Sequence, residues 1–529
     1  MVFGALGLVL RSHFTLRRPL VLFIRKERYS SSLASVQSVP EPVRRHGAGV
    51  GGRDSKGYEW KRLNAEELGI ETWMISKPAR MVLNGLRKKG YEVYLVGGCV
   101  RDLILKRTPK DFDIITSAEL KEVRKTFMQC EIVGKRFPIC HVHVCDTIVE
   151  VSSFSTCGSN SSWKFSNYFS KPCGCSGRDY MRWRNCLQRD FTINGLMLDP
   201  YTKIVYDYMG GMEDIRKAKV RTVIPANHSF MEDCARILRA VRIASRLGFR
   251  FTRETALSVR ELSSSVLRLD KGRILMEMNY MLAFGSAEGS LRLLWRFGLL
   301  EILLPIQASY FASQGFRRRD ERSNMLLYLF SNLDKLVAPD RPCHSSLWIA
   351  ILAFHKALVD QPCDPVVVAA FSLAVHSSGS LCEAVEIAKR IAQPHEPSFG
   401  ELLEPQDEFN DAVMDRVIDL AESVKAVIRK MTDQSYVAQA MAEYPQAPCS
   451  DLVFIPWALS LRVSKIFECV RRGMERGCVP RREKKIDYES LELGSLKEVR
   501  HLFARIVFDT IYPRLQNKEN SSLHENSCY

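Results

Sequence analysis

A chain of 529 residues, 46% hydrophobic and 26% charged, has the composition of a soluble globular protein and the length for roughly two to four domains with cores of their own. No uncharged apolar run reaches the length of a membrane-spanning helix, which excludes an integral helical membrane protein; the 16 cysteines follow no framework spacing and argue for free thiols in a reducing compartment. The net charge of +16 and pI near 9.2 point to a polyanionic partner, with a basic leader supplying part of the excess.

That leader comes first in the chain. Arg11, Arg17, Arg18, Arg25, Lys26 and Arg28 stand against a single acid, Glu27, and a serine-rich run follows from Ser30. This acid-poor, Arg/Ser-rich composition is that of an organelle transit peptide, with an untargeted disordered tail as the plainer alternative, and residues 2–10 lack the basic residues expected ahead of a secretory core. Arg28-Tyr29-Ser30 looks like a mitochondrial processing site, which favours the mitochondrion over the chloroplast. Residues 47–57 form a glycine-containing junction, so the folded chain is expected to begin near Trp60.

Residues 91–113, YEVYLVGGCVRDLILKRTPKDFD, predict a strand, a glycine turn, a short helix and a second strand carrying two carboxylates. Gly97-Gly98 lets the backbone approach a ligand, and the helix that opens at Cys99 turns its free N–H groups toward that turn. Asp111 and Asp113 are two apart, the spacing that places two side chains on one strand face. Two hard oxygen donors beside a phosphate cradle suit Mg²⁺ bound to a nucleoside triphosphate, whereas a turn with two solvated acids is the plainer alternative. In this order these residues resemble the head of the class II nucleotidyltransferases of the DNA polymerase beta superfamily: the bacterial-type poly(A) polymerases and the tRNA CCA-adding enzymes. The resemblance implies a mixed-sheet head, a two-metal site for Mg²⁺ (Mn²⁺ as a substitute), and ATP as substrate.

Residues 118–128 predict a helix and residues 130–151 two or three strands. Glu150 ends that stretch in EVSSF, similar to the family's Glu-Val-x-x-Phe, and so is implied as a third catalytic carboxylate; Ser155 stands where the family usually has arginine. VGKRFPICHV, with Gly134, Lys135, Arg136, Phe137 and His141, resembles the signature of bacterial poly(A) polymerase I more than the shorter one of CCA-adding relatives. His141 and His143 alternate on a strand without a further nitrogen or sulfur ligand nearby, which argues against zinc.

Residues 157–187 are expected to be irregular. Cys157, Cys173, Cys175 and Cys186 have spacings that fit no zinc knuckle or ribbon. Lys164, Lys171, Arg178, Arg182 and Arg184 alternate with Trp163, Phe165, Tyr168, Phe169, Tyr180 and Trp183, a mixture suited to single-stranded RNA or to a mobile loop over the site. Arg189-Asp190-Phe191-Thr192-Ile193-Asn194 resembles the family's Arg-Asp-Phe-Thr-x-Asn, with Gln188 in place of a preceding arginine. Arg189 supplies a fork for phosphate, and Asp190 can hold it or the ribose. Tyr206-Asp207 and Gly210-Gly211 continue the family's turn, or are simply a turn.

EDCARILRAVR, residues 232–242, predicts one helix, with Ile237, Leu238, Val241 and Leu247 as its apolar stripe and Asp233, Arg236, Arg239, Arg242 and Arg246 sharing another face, which on composition alone would be an ordinary solvated one. By resemblance, Asp233 and Arg236 read the Watson–Crick edge of the incoming base while Arg239 and Arg242 hold phosphate or ribose. Helical periodicity then continues through residues 267–282, 291–304, 325–336, 347–359, 365–375, 381–392, 412–431, 452–472 and 496–512. Arg471, Arg472, Arg476, Arg481, Arg482, Lys484 and Lys485 form a basic cluster that could track RNA or be a solvated face.

The expected fold is therefore α+β, an N-terminal mixed-sheet head followed by an all-α neck, body and tail. The expected domains are 1–59 leader and linker, 60–225 catalytic head, 226–310 neck, 311–515 helical body and 516–529 disordered tail. The implied activity is template-independent addition of AMP from ATP to RNA 3′ ends, mRNA or tRNA-like, by Asp111, Asp113 and Glu150, with Gly97, Gly98, Arg101, Arg189, Asp190, Asp233, Arg236, Arg239 and Arg242 binding the nucleotide. CCA addition to tRNA is the runner-up. A non-catalytic RNA-binding protein on the same scaffold is the alternative of another class, supported only by Ser155 and Gln188.

Overall fold

The computed structural model describes residues 60–134, 138–157, 175–377, 380–406, 408–431, 435, 455–472 and 485–513. The leader, Lys135, Arg136, Phe137, residues 163–173 of the aromatic-basic segment, residues 476–484 of the basic cluster and the tail lie outside the described residues.

The head opens with β1 (Lys61–Asn64) and α1 (Lys77–Lys88), the latter capped by Ser76 and burying Ala79, Val82, Leu83 and Leu86. Then follow β2 (Val93–Val96), α2 (Gly98–Ile104), β3 (Asp113–Thr116), α3 (Leu120–Thr126) and three strands, β4 (Cys130–Val133), β5 (Ile139–Val144) and β6 (Thr147–Ser153). After α4 (Gly177–Cys186) come β7 (Leu196–Asp199), β8 (Ile204–Asp207), α5 (Gly211–Arg216) and β9 (Lys219–Val220). Strands β1 to β8 form a single sheet of order β1-β8-β7-β2-β3-β6-β5-β4, in which β3 and β6 run parallel and every other pair antiparallel.

Strand β2 is buried on both faces, and its period of two decides what covers each. Val93 and Leu95 join the core under α1 and α3, while Tyr94 and Val96 face a second, aromatic layer containing Trp183, Tyr206 and Tyr208. Helix α4 supplies that layer, correcting the irregular segment expected there. Asp179, Arg182, Trp183 and Cys186 are buried along one of its faces. Arg182 stacks on Tyr206 at 4.3 Å and on Tyr94 at 5.3 Å and pairs with Asp179 at 3.1 Å, so it and Trp183 belong to the head core and not to an RNA surface. The basic and aromatic residues here alternate because a helix is being packed.

Beyond the head, α6 (Ala226–Glu232), α7 (Ala235–Leu247), β10 (Arg250–Phe251), α8 (Arg253–Glu261), α9 (Lys271–Leu282), α10 (Ala287–Arg296), α11 (Leu300–Leu303) and α12 (Pro305–Ser313) make the neck. Strand β9 pairs in parallel with β10, so a ladder crosses the boundary expected at 225. The body adds α13 (Met325–Asp334), α14 (Ser345–Asp360), α15 (Pro365–Ser377), α16 (Leu381–Lys389), α17 (Asn410–Lys430), α18 (Trp457–Arg472), α19 (Tyr488–Glu492) and α20 (Leu496–Ile511). Its centre is aromatic: Phe503 meets Phe354 at 5.4 Å and Phe467 at 5.2 Å edge-on, while Phe354 and Phe371 stack at 5.7 Å. Phe503 is fully buried, so Phe503→Ala should cost about 3–5 kcal/mol, read as a lowered urea midpoint with unchanged slope.

Candidate active site

Strand β2 delivers the chain to Gly97, whose φ of +80° is one that side chains resist. A Cβ there would lie 2.7 Å from Nη1 of Arg189 and 3.5 Å from Oδ2 of Asp113, so the glycine, the arginine and the carboxylate meet at one point. Burial pushes the Asp113 carboxyl up to about 6; the Arg189 guanidinium holds it down, and the nearby charges of Glu150 and Asp111 push it further up. Nε of Arg189 is buried without a hydrogen-bond partner among the described residues.

The alternation expected to align Asp111 with Asp113 does not operate, because β3 begins only at Asp113. Its partner Val96 is the last residue of β2 before the glycine turn, and pairing with β6 starts at Ile114 opposite Val151. Asp111 precedes the strand and is exposed. Glu150 is brought close by the parallel β3–β6 pairing. It alternates with Val149 and Val151, which enter the helix-side core, and so emerges on the face that Asp113 shares. Glu150 is half exposed, and His141 faces it across the β5–β6 ladder with Nε2 at 3.8 Å.

Among the described residues no three His, Cys, Asp or Glu side chains lie close enough together to hold a metal ion. Asp111, Asp113 and Glu150 nevertheless fit a hard divalent cation. They are oxygen donors whose charges act on one another, and a cation that keeps water and phosphate oxygens needs only one or two protein carboxylates.

The remaining site residues form a buried polar chain. Arg101 is 6% exposed, its Nε donating to Asp102 at 2.8 Å and its Nη1 to Asn194 at 2.6 Å. It is thus committed inside the head instead of facing outward to a triphosphate. Asn194 donates to Asp190 at 3.0 Å, and Asp190 accepts from Arg239 at 3.0 Å. The partnership raises the Arg239 guanidinium against its burial and keeps the Asp190 carboxyl below its ordinary range. Arg242 meets Glu277 of α9 at 3.0 Å and lies over the Tyr280 ring at 5.0 Å. The two arginines expected on phosphate or ribose are therefore each paired with a buried carboxylate.

Residues 232–242 do not make one helix. Glu232 ends α6, Asp233 is extended at φ −144°, and α7 starts at Ala235, whose N–H is accepted by Oδ1 of Asp233 at 3.1 Å. Asp233 precedes the N-cap residue Cys234, and its carboxylate accepts a backbone N–H two residues on, a local turn that competes with continuing the helix. Arg236 is 9% exposed, with Nη1 on Ser229 Oγ at 3.0 Å and on Glu232 at 3.1 Å and Nη2 3.4 Å from the Gln188 carbonyl. Tyr206-Asp207-x-x-Gly210-Gly211 is a structural turn: Asp207 accepts from the N–H groups of Met209, Gly211 and Met212. Sequence reasoning assigned nothing to Asp102, Glu277 or Arg273, since each acts on a residue the turn or the neck brings to it; only Asp102, adjacent to Arg101, carried a local hint.

Gly97→Ala would displace Arg189 and strain the turn, so kcat/KM for ATP should fall by roughly two orders of magnitude in initial-rate measurements.

A mixed sheet with a glycine turn, a basic fork and carboxylates on adjacent strands defines a nucleotidyltransferase head. The chain matches the family model described as the Poly A polymerase head domain over residues 93–221, and the one described as a probable RNA and SrmB-binding site of polymerase A over residues 248–311. It is 31% identical over 345 residues to Poly(A) polymerase I of Escherichia coli O157:H7, covering 62% of this chain and 71% of that protein. It is 33% identical over 218 residues to the CCA-adding enzyme of Geobacillus stearothermophilus, covering 41% of this chain and 52% of that one. The crystal structure of a Bacillus stearothermophilus CCA-adding enzyme in complex with CTP superposes with a TM-score of 0.42 at 23% identity, over 75% of this chain and 93% of that one. The chain belongs to the family of poly(A) polymerases and tRNA CCA-adding nucleotidyltransferases.

Proposed function

We propose that the protein is a template-independent RNA nucleotidyltransferase that adds AMP from ATP to RNA 3′ ends. The observation that carries this reading is the convergence of Gly97, Arg189 and Asp113, with Glu150 on the next strand. The identity over 71% of a poly(A) polymerase I supports it. Gly97 and Gly98 leave the backbone open to the triphosphate, and Arg189 offers it a bidentate fork. Asp111, Asp113 and Glu150 would hold Mg²⁺, which when bound neutralises charge on the transferring phosphate and acidifies the attacking 3′-hydroxyl. The Asp102–Arg101–Asn194–Asp190–Arg239 chain keeps the turn and α7 in fixed relation. Asp233 accepts from the exocyclic amino group of adenine, and Arg236 is its implied partner. Residues 1–59 act as an organelle leader, mitochondrial in preference to chloroplast; a fusion of that segment to a fluorescent protein should localise to mitochondria.

The deciding experiment is incorporation by the purified chain with Mg²⁺ and the NTPs, singly and as a CTP/ATP mixture, on an oligo(A) primer and on a tRNA ending at its discriminator base. Long A tails from ATP alone support the proposal. Two C residues and one A, on tRNA only, establish CCA addition in its place. RNA binding without any incorporation leaves a binding protein on a polymerase scaffold.

A further inference from the structure

Of the three site carboxylates, Asp111 is the one whose place the strand ladder does not fix. It precedes β3, is exposed, and its carboxylate accepts no hydrogen bond among the described residues. The segment that carries it, between α2 and β3, has to be held by something else.

One anchor lies within the head: Lys106 donates to the carbonyls of Leu68 and Gly69, each at 2.6 Å. The others come from the neck. Nη1 of Arg107 donates to the Arg246 carbonyl at 2.9 Å. Arg246 sits in the last turn of α7, where carbonyls have no partner inside the helix and the dipole favours a cation. Nearer to Asp111, Nζ of Lys110 lies 4.9 Å from the centre of the Phe284 ring. Lys110 makes no ion pair among the described residues, so the ring is what holds its ammonium. Phe284 is buried just beyond α9; its ring is 5.3 Å from that of Tyr280, and Tyr280 carries the Arg242 guanidinium of α7 at 5.0 Å. Arg242 is fixed in turn by Glu277 at 3.0 Å. Cation, ring, ring and cation form one stack, which runs from the residue beside Asp111 into the neck.

We propose that Lys110 is a positioning residue for Asp111: its ammonium, seated on the Phe284 ring, fixes the segment that carries this carboxylate, so that Asp111 reaches the cation site only while the neck is packed against the head. This rests on the adenylyl-transfer reading of the site. It makes the demand for Mg²⁺ depend on an aromatic ring outside the head.

The test compares wild type, Lys110→Met, Lys110→Arg and Phe284→Leu in the full chain, with melting temperatures alongside. Trypsin cleavage after Arg107, followed by mass spectrometry with neither nucleotide nor metal present, reads the segment itself. It should quicken roughly tenfold in Lys110→Met and Phe284→Leu but not in Lys110→Arg, whose guanidinium also stacks on a ring. On an oligo(A) primer the first two variants should lose roughly fivefold to twentyfold in kcat and need roughly ten times more Mg²⁺ for half-maximal rate, with KM for ATP within about twofold of wild type. Lys110→Arg should stay within about threefold of wild type throughout. Lys110 is exposed, so its variants decide even where Phe284→Leu melts early. The proposal is overturned if Phe284→Leu matches wild type in cleavage and in Mg²⁺ dependence, or if Lys110→Met acts through KM for ATP alone, which would put the ammonium on the triphosphate. A wild-type chain that transfers no AMP would sink the enzymatic reading, while the cleavage rates would still decide this one.

Discussion

Asp113→Asn should leave a folded chain that no longer transfers AMP, with kcat at least roughly a thousandfold below wild type. Asn fills the same volume and keeps one acceptor oxygen, so the end of β3 and its pairing with Val96 are retained. What disappears is the charge: Asp113 is the carboxylate beside Arg189 and Gly97, and the one on which Glu150 and Asp111 both act. Arg189 would be left without that counter-charge and free to hold the triphosphate away from the attacking hydroxyl. Initial rates at saturating ATP and oligo(A), with melting temperatures measured in parallel, separate chemistry from folding. A variant that melts like wild type and retains a tenth of its rate would show that the reaction does not run through this carboxylate. Asp111→Asn should be milder than Asp113→Asn, since Asp111 lies outside the strand and in solvent.

Asp179→Ala should be the most damaging single change to stability in the head, at about 3–5 kcal/mol. Oδ1 of Asp179 accepts from Arg182 at 3.1 Å and from the Tyr208 hydroxyl at 2.8 Å; Oδ2 accepts from Arg62 and from Ser176, each within 2.8 Å. These partners hold its carboxyl below the ordinary range in spite of burial. Truncation would leave the Arg182 guanidinium between the Tyr94 and Tyr206 rings with no anion to answer it. The pair Asp179→Ala with Arg182→Leu should recover much of the loss, because the stranded charge is then gone. Urea midpoints of the two single variants and the double variant give the coupling directly. Additive losses would mean that the network is solvated and that burial does not set its energy.

The sequence was most legible where local pattern and tertiary environment agree. The β-branched run before Gly97 became the central strand, and the helical periods of the body reappear within a few residues of their expected limits. Helix α1 has no counterpart among the expected elements, although Ser76 caps it and Pro78 stands in its first turn. Three features were illegible for physical reasons. Helix α4 looks like an RNA-binding loop because a guanidinium stacked between tyrosines has the same composition whether the aromatics are in a core or on a surface. The periodicity of residues 232–242 runs unbroken through a position where the Asp233 carboxylate makes a local turn that competes with the helix. Arg101 and Asn194 are strangers in sequence, so no spacing announces that one consumes the other's side chain.

The parallel pairing of β3 with β6 has a kinetic side. Neighbours in an antiparallel hairpin find each other across a short turn, but Asp113 meets Glu150 only after α3, β4 and β5 have been laid down and their loop closed. Loop-closure entropy of that kind is lost before the contact rewards it, which makes the β3–β6 seam a late event in folding. A head whose sheet is incomplete lacks the pairing that brings Glu150 to the strand beside Asp113, so the carboxylate cluster exists only in the completed sheet.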